Sequence, residues 1–174
     1  VLSDNGNRGL RIHNTSHPVI SDVIVTGNHE GGIIIGNSSD PTLTDITVTG
    51  NQDVADGGGI YISSSCDPVL ENIQITGNTS SSKGGGIYIN SNSHPTLIGL
   101  TIADNTSNEG GGIYFKDNST AVFDSDDRSS IYLNTANNVN GSDLYAVSSP
   151  LIAVVVDTFS VLSPTDFYAY PVEN

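Results

Sequence analysis

The chain has 174 residues, with five Lys and Arg set against nineteen Asp and Glu, a formal charge of -14. That length suits one domain with a real core, and that charge repels nucleic acid and anionic membrane surfaces. No run of about 18 apolar residues is present to cross a bilayer as a helix, so neither nucleic-acid binding nor membrane insertion is expected. A single cysteine, Cys66, excludes an internal disulfide framework. The chain opens on Val1 with no leader-like stretch and reads as a piece of something larger. Gly, Asn, Ser, Thr, Ile and Val dominate, a mixture that favours short strands joined by tight turns.

In chain order, Leu10-Arg11-Ile12 opens a pattern that then recurs. The dipeptides His17-Pro18, Asp40-Pro41, Asp67-Pro68 and His94-Pro95 follow at steps of 23, 27 and 27 residues, a repeat of solenoid length. Each unit carries the proline, an alternating apolar stretch, an Asn, a spacer of varied sequence, and two or three glycines before Ile-Tyr-Ile or its equivalent. The units run near 1–16, 17–39, 40–66, 67–93, 94–120 and 121–150, about six rungs. In the last of them Asn134 takes the Asn position and Leu144-Tyr145 the Ile-Tyr positions. Residues 151–174 leave the pattern, turn more apolar and aromatic, and are expected to form a terminal strand and cap or a linker to a following module.

Strand side chains alternate between faces, so the columns of the repeat can be assigned. Val23, Ile46, Ile73 and Leu100 are expected to point inward, as are Val25, Val48, Ile75 and Ile102, while Ile24, Thr47, Gln74 and Thr101 point outward. In the strand after the glycines, Ile60 and Ile62 and their equivalents point inward, and Ile34, Tyr61, Tyr88 and Tyr114 outward. A coil of this length holds two or three short strands, too little to bury its own apolar face, so it must stack on its neighbours. Stacking places equivalent residues about 4.8 Å apart. Asn28, Asn51, Asn78, Asn105 and Asn134 are then expected to form a ladder, each amide donating to the carbonyl of the next. The glycines mark a tight corner, and the proline marks entry into the next strand.

The run Leu-x-Asp/Asn-Ile-x-Ile/Val-x-x-Asn followed by Gly-Gly-Gly-Ile-Tyr resembles the right-handed parallel β-helix of pectate-lyase-like proteins and of many bacterial surface and secreted proteins. The glycine rung and the ending "NTANNVNGSDLYA" are similar to repeats of chlamydial polymorphic outer-membrane proteins and of large secreted bacterial proteins. The resemblance covers about residues 9–147. It implies an all-β, right-handed parallel β-helix with a C-terminal capping strand, located extracellularly, whether secreted or on the cell surface. The same solenoid hosts lyases, hydrolases, adhesins and inert stalks.

Enzymes of the resembled fold carry clustered carboxylates that hold calcium beside a basic residue, or Gly-His-Gly and Arg-x-Lys elements. Neither element is found in this sequence, Arg8, Arg11, Lys83, Lys116 and Arg128 are scattered, and Asp126-Asp127 is a lone acidic pair. Asp22 and Asp45, on successive rungs with Asn72, could share a hard cation such as calcium, or could bond local backbone at a turn. The column His17, Asp40, Asp67, His94 offers metal-ligand types, but each residue directly precedes a proline, a position that equally suits a residue shaping the corner. Cys66 shares a column with Ser16, Ser39, Ser93 and Ser119. The leading candidate site is an exposed aromatic stripe of Tyr61, Tyr88, Tyr114 and Tyr145, flanked by Arg11, suited to stacking on sugar rings or burial against a partner.

The expected function is therefore a non-catalytic β-helix module, an adhesin-like or carbohydrate-binding stalk. Its expected partners are a polysaccharide or a host or surface protein, with neighbouring modules of the same chain stacked on its ends. The alternatives are a polysaccharide lyase or hydrolase-like domain with bound calcium, and a purely structural spacer.

Overall fold

The computed structural model describes residues 1–53 and 55–148; the cap expected over 151–174 lies outside the described residues. Every regular element among these is a strand, most of them three residues long. One coil shows the construction. Val69–Glu71 follows Pro68, Gln74–Thr76 leads to Asn78, Thr79–Ser80 leaves it, and Ile87–Ile89 follows the glycines. Equivalent strands of successive coils pair in parallel and in register. They form four sheets: a proline sheet of five strands, a ladder sheet of six, a short sheet of four and a tyrosine sheet of six. The stack makes about five turns, with six rungs reached only in the ladder and tyrosine sheets. Four strands in each coil from residue 40 on, rather than two or three, is a correction that follows from the spacer, part of which pairs there as the short sheet.

The apolar columns fill the interior as their period requires. Leu43, Leu70 and Leu97 enter from the proline sheet, Val48, Ile75 and Ile102 from the ladder sheet, and Ile60, Ile62, Ile87, Ile89 and Phe115 from the tyrosine sheet, all buried. Each such side chain contributes about 1.5–3 kcal/mol by leaving water. With strands this short the corners carry much of the chain, and they use left-handed backbone. A single left-handed residue, Asp22, Asp45, Asn72 or Gly99, links the proline strand to the ladder strand in successive coils. Gly27, Gly50, Gly77, Asp104 and Leu133 occupy a second left-handed column, directly before each ladder Asn. Leu133 is the outlier of that column, with φ 55° and a side chain 69% exposed.

The Asn column forms a continuous one-way ladder through the interior. Asn51 Nδ2 donates to Asn78 Oδ1 at 3.0 Å, Asn78 Nδ2 to Asn105 Oδ1 at 3.0 Å, and Asn105 Nδ2 to Asn134 Oδ1 at 3.0 Å. Each Oδ1 also accepts the backbone N–H of the Asn before it, and each Nδ2 reaches a strand carbonyl, as Asn78 does to Val48 at 2.9 Å. Two residues outside the expected five complete the ladder. Asn5 starts it, with Nδ2 2.7 Å from Asn28 Oδ1. Asp143 ends it, its Oδ1 accepting both the N–H and the Nδ2 of Asn134 at 3.1 and 2.9 Å. A carboxylate accepts but does not donate, so it suits the end toward which every amide points.

Two outcomes are expected. Asn78→Ala orphans the buried Asn51 N–H and takes one partner each from Asn51 Nδ2, the Val48 carbonyl and Asn105 Oδ1, the last of which keeps the backbone N–H of residue 78. It should cost about 2–4 kcal/mol in a denaturant titration, since an orphaned buried group costs about 1–3 kcal/mol and each hydrogen bond lost about 0.5–1.5 kcal/mol. Leu133→Gly should stabilise by up to about 1 kcal/mol in the same titration, because it removes left-handed strain from a side chain that buries little.

Candidate binding face along the tyrosine sheet

The three glycines before the Tyr61, Tyr88 and Tyr114 strands answer to different neighbours. Gly84 adopts φ 62°, and a Cβ there would come within 2.8 Å of the Tyr88 Cβ. Gly86 instead lies against the ladder, where a Cβ would meet Ile102 Cγ2 at 2.9 Å and Asn105 Nδ2 at 3.1 Å. In the last coil Asp143 takes the position of Gly86, and its side chain turns into the ladder as the terminal acceptor. The glycines thus let the spacer fold back tightly over the outer side of the tyrosine sheet.

That folding corrects the expected exposed stripe. Tyr61, Tyr88, Tyr114 and Tyr145 do form one column on the outer side, in register. Tyr88 and Tyr114, however, are only 3% exposed, and Tyr61 and Tyr145 are half-buried. The rings stack on each other along the solenoid axis, with centroids 5.2 Å apart for Tyr61–Tyr88 and 5.5 Å for Tyr88–Tyr114, at interplanar angles of 26° and 21°. Tyr114–Tyr145 lies at 5.5 Å but tilts by 55°. Their π faces are therefore occupied by one another, and a sugar cannot stack on the two central rings. Such pairs contribute about 0.5–1.5 kcal/mol each beyond area burial. Arg11 continues the column as an exposed side chain beyond Ile34.

Charged side chains from the spacers close over the stack. The Arg8 guanidinium lies 5.7 Å from the Tyr61 centroid and Lys83 Nζ 5.5 Å from that of Tyr114, both within cation–π range. Asp56, Lys83 and Glu109 bridge backbone to backbone on successive rungs, alternating in sign. Asn90 Nδ2 donates to the Tyr88 hydroxyl at 3.2 Å. Burial pushes the Tyr88 phenol up to about 12 despite that bond, and burial also raises Tyr114, helped by Glu109.

Arg8 and Asp53 were not among the expected site residues. The first full coil is the 23-residue one and lacks a short-sheet strand, so that sheet begins only at Gln52–Asp53. Arg8 reaches across the buried Gly31 and places Nη2 3.0 Å from Asp53 Oδ2, with the Asp53 side chain only 3% exposed. Asp53 Oδ1 accepts the Ala55 N–H at 2.7 Å. Burial holds the Asp53 carboxyl above its ordinary range, opposed by that N–H and by Arg8. The shorter first step was visible in the sequence; the residue that would fill the gap was not.

Asp22 and Asp45, the candidate calcium ligands, sit exposed at left-handed corners with φ 57° and 55°. Their backbone N–H groups donate to Thr44 and Glu71 carbonyls on the next coil. Asp and Asn tolerate this conformation better than most residues, which accounts for the column. Among the described residues no three His, Cys, Asp or Glu gather as a metal site would require.

Tyr88→Ala should cost about 3–4 kcal/mol, the range of buried aromatic deletions, whereas Tyr88→Phe should stay within about 1 kcal/mol. The raised phenol sets the alkaline limit. Below pH 10 both folded and unfolded chains keep the proton; from there to about 12 only the unfolded chain releases it, so stability is lost over that window. Urea midpoints measured across that range, alongside phenolate absorbance, check both points.

The family whose model matches this chain is described as "Periplasmic copper-binding protein (NosD)", and the match runs over residues 1–148. No curated protein and no solved structure matches the chain. The match spans the whole described solenoid, and its parallel β-helix is the architecture found in the structure. This chain belongs to the NosD family of periplasmic β-helix proteins.

Proposed function

We propose that this chain is a non-catalytic β-helix module of a periplasmic or surface-exposed protein, which presents the ridge of spacer loops beside the tyrosine stack to a polysaccharide or protein ligand. The observation that carries this reading is how the repeated side chains are used. The asparagines and tyrosines, the groups most able to hold a ligand, are turned toward their own equivalents on adjacent coils. What varies from coil to coil is the spacer, "QDVAD" after Asn51 and "TSSSK" after Asn78, and loops on a rigid scaffold are where binding specificity resides. A formal charge of -14 favours a neutral or basic partner over an acidic one. The half-buried end rings, Tyr61 and Tyr145, are the aromatic groups left to take part.

The test is a glycan array and a panel of basic and neutral proteins, probed with the parent and with a variant whose Ser80–Lys83 segment is replaced by Gly-Ser-Gly-Ser. Binding by the parent that is lost in the variant, with strand content and melting retained, supports the reading. Binding that survives the loop replacement, or turnover of any polysaccharide in the screen, overturns it.

A further inference from the structure

The family's description raises copper, and the donors of this chain can be weighed against it. Copper sites are built from thiolate and thioether sulfur for Cu(I), and from imidazole with carboxylate for Cu(II). The entire sequence holds no Met, one Cys and four His, and all five of those Cys and His residues lie among the described residues. Cys66 is fully buried. Its Sγ donates to the Ser63 carbonyl at 3.0 Å and accepts the Ser39 N–H at 3.3 Å, and burial pushes its thiol up, away from the thiolate that ligates metal. It is one rung of a ladder in which Ser16 N–H meets Ser39 Oγ, Cys66 N–H meets Ser93 Oγ, and Ser93 N–H meets Ser119 Oγ.

The imidazole column is built in the same way. Asp40 N–H donates to His17 Nδ1 at 3.3 Å, Asp67 N–H to Asp40 Oδ1 at 2.7 Å, and His94 N–H to Asp67 Oδ1 at 2.8 Å. His94 Nδ1 in turn lies 2.8 Å from Thr120 Oγ1. Each of these residues but Thr120 directly precedes a proline, which favours an extended backbone there. The side chains of His17, Asp40 and Asp67 each take the backbone N–H of their equivalent one coil further on, whereas His94 meets a hydroxyl. His29 Nδ1 is 3.2 Å from the Asn5 carbonyl. His13 and His17 line a common open hollow at the first coil, but they share it with the Arg11 cation.

We infer that this chain is a copper-silent member of its family, in which the His17–Asp40–Asp67–His94–Thr120 column and the Cys66 thiol serve as axial hydrogen-bond ladders instead of ligands. The inference does not depend on which ligand, if any, the spacer ridge recognises.

The test uses the metal-free chain given one equivalent of Cu(II), or of chelator-buffered Cu(I), then desalted and read by elemental analysis, by paramagnetic resonance and by thermal melting. The expected result is no copper retained beyond that of a His13→Ala/His17→Ala variant, and a melting midpoint that copper does not move. In parallel, Asp67→Ala should lower the midpoint equally with and without copper. One copper retained per chain and lost in the double variant, or a midpoint raised by copper, overturns the absence of a site. An Asp67→Ala midpoint equal to the parent's overturns the ladder.

Discussion

A strand of three residues cannot hold its own place; what holds it is the same residue of the next coil, hydrogen-bonded about 4.8 Å away in strict parallel register. Everything else in this chain follows from that pairing. Once Leu43, Leu70 and Leu97 must lie over one another, and Val48, Ile75 and Ile102 likewise, the core is a set of columns and a residue is chosen for its fit to its own kind. The Asn ladder is the polar form of the same rule. Its bonds all run one way, from Asn5 to Asp143, so neighbouring amides polarise each other, and the carboxylate stands where only acceptors are wanted. Because those amides are buried, any break leaves donors and acceptors without water.

The chain uses this device repeatedly with different chemistry. Small hydroxyls and one thiol make a second column, histidine and aspartate a third on the surface, and tyrosine rings a fourth. A side chain committed along the axis is less able to reach outward. That is the common physical reason why neither the tyrosines nor the histidines present an open site, although both types are ordinarily recruited for one. It also directs attention to the spacers, the part of each coil that is not obliged to match its neighbours.

The Arg8–Asp53 pair shows what happens where the repeat fails. A coil shortened in its spacer leaves the short sheet with an edge and the first tyrosine with an uncovered face. One guanidinium attends to both, paired with Asp53 at 3.0 Å and lying 5.7 Å from the Tyr61 ring. Arginine suits this because its planar, weakly hydrated cation stacks on aromatic faces and pairs with carboxylates at once.

The repeat spacing and the period-two alternation by themselves determined which residues share a column and which face they take. Leu10-Arg11-Ile12 could therefore be placed correctly from its distance to Pro18, and Asn134 and Leu144-Tyr145 from their fit to the columns of the repeat. Such information is local and one-dimensional. Whether an outward residue is also an exposed one depends on what folds over it, and Tyr88 and Tyr114 face outward yet are buried because the glycines bring the spacer back across them. Asn5 and Asp143 joined the ladder for the same kind of reason: a terminal rung lacks a repeated neighbour, and only the three-dimensional stack shows which side chain arrives to finish it.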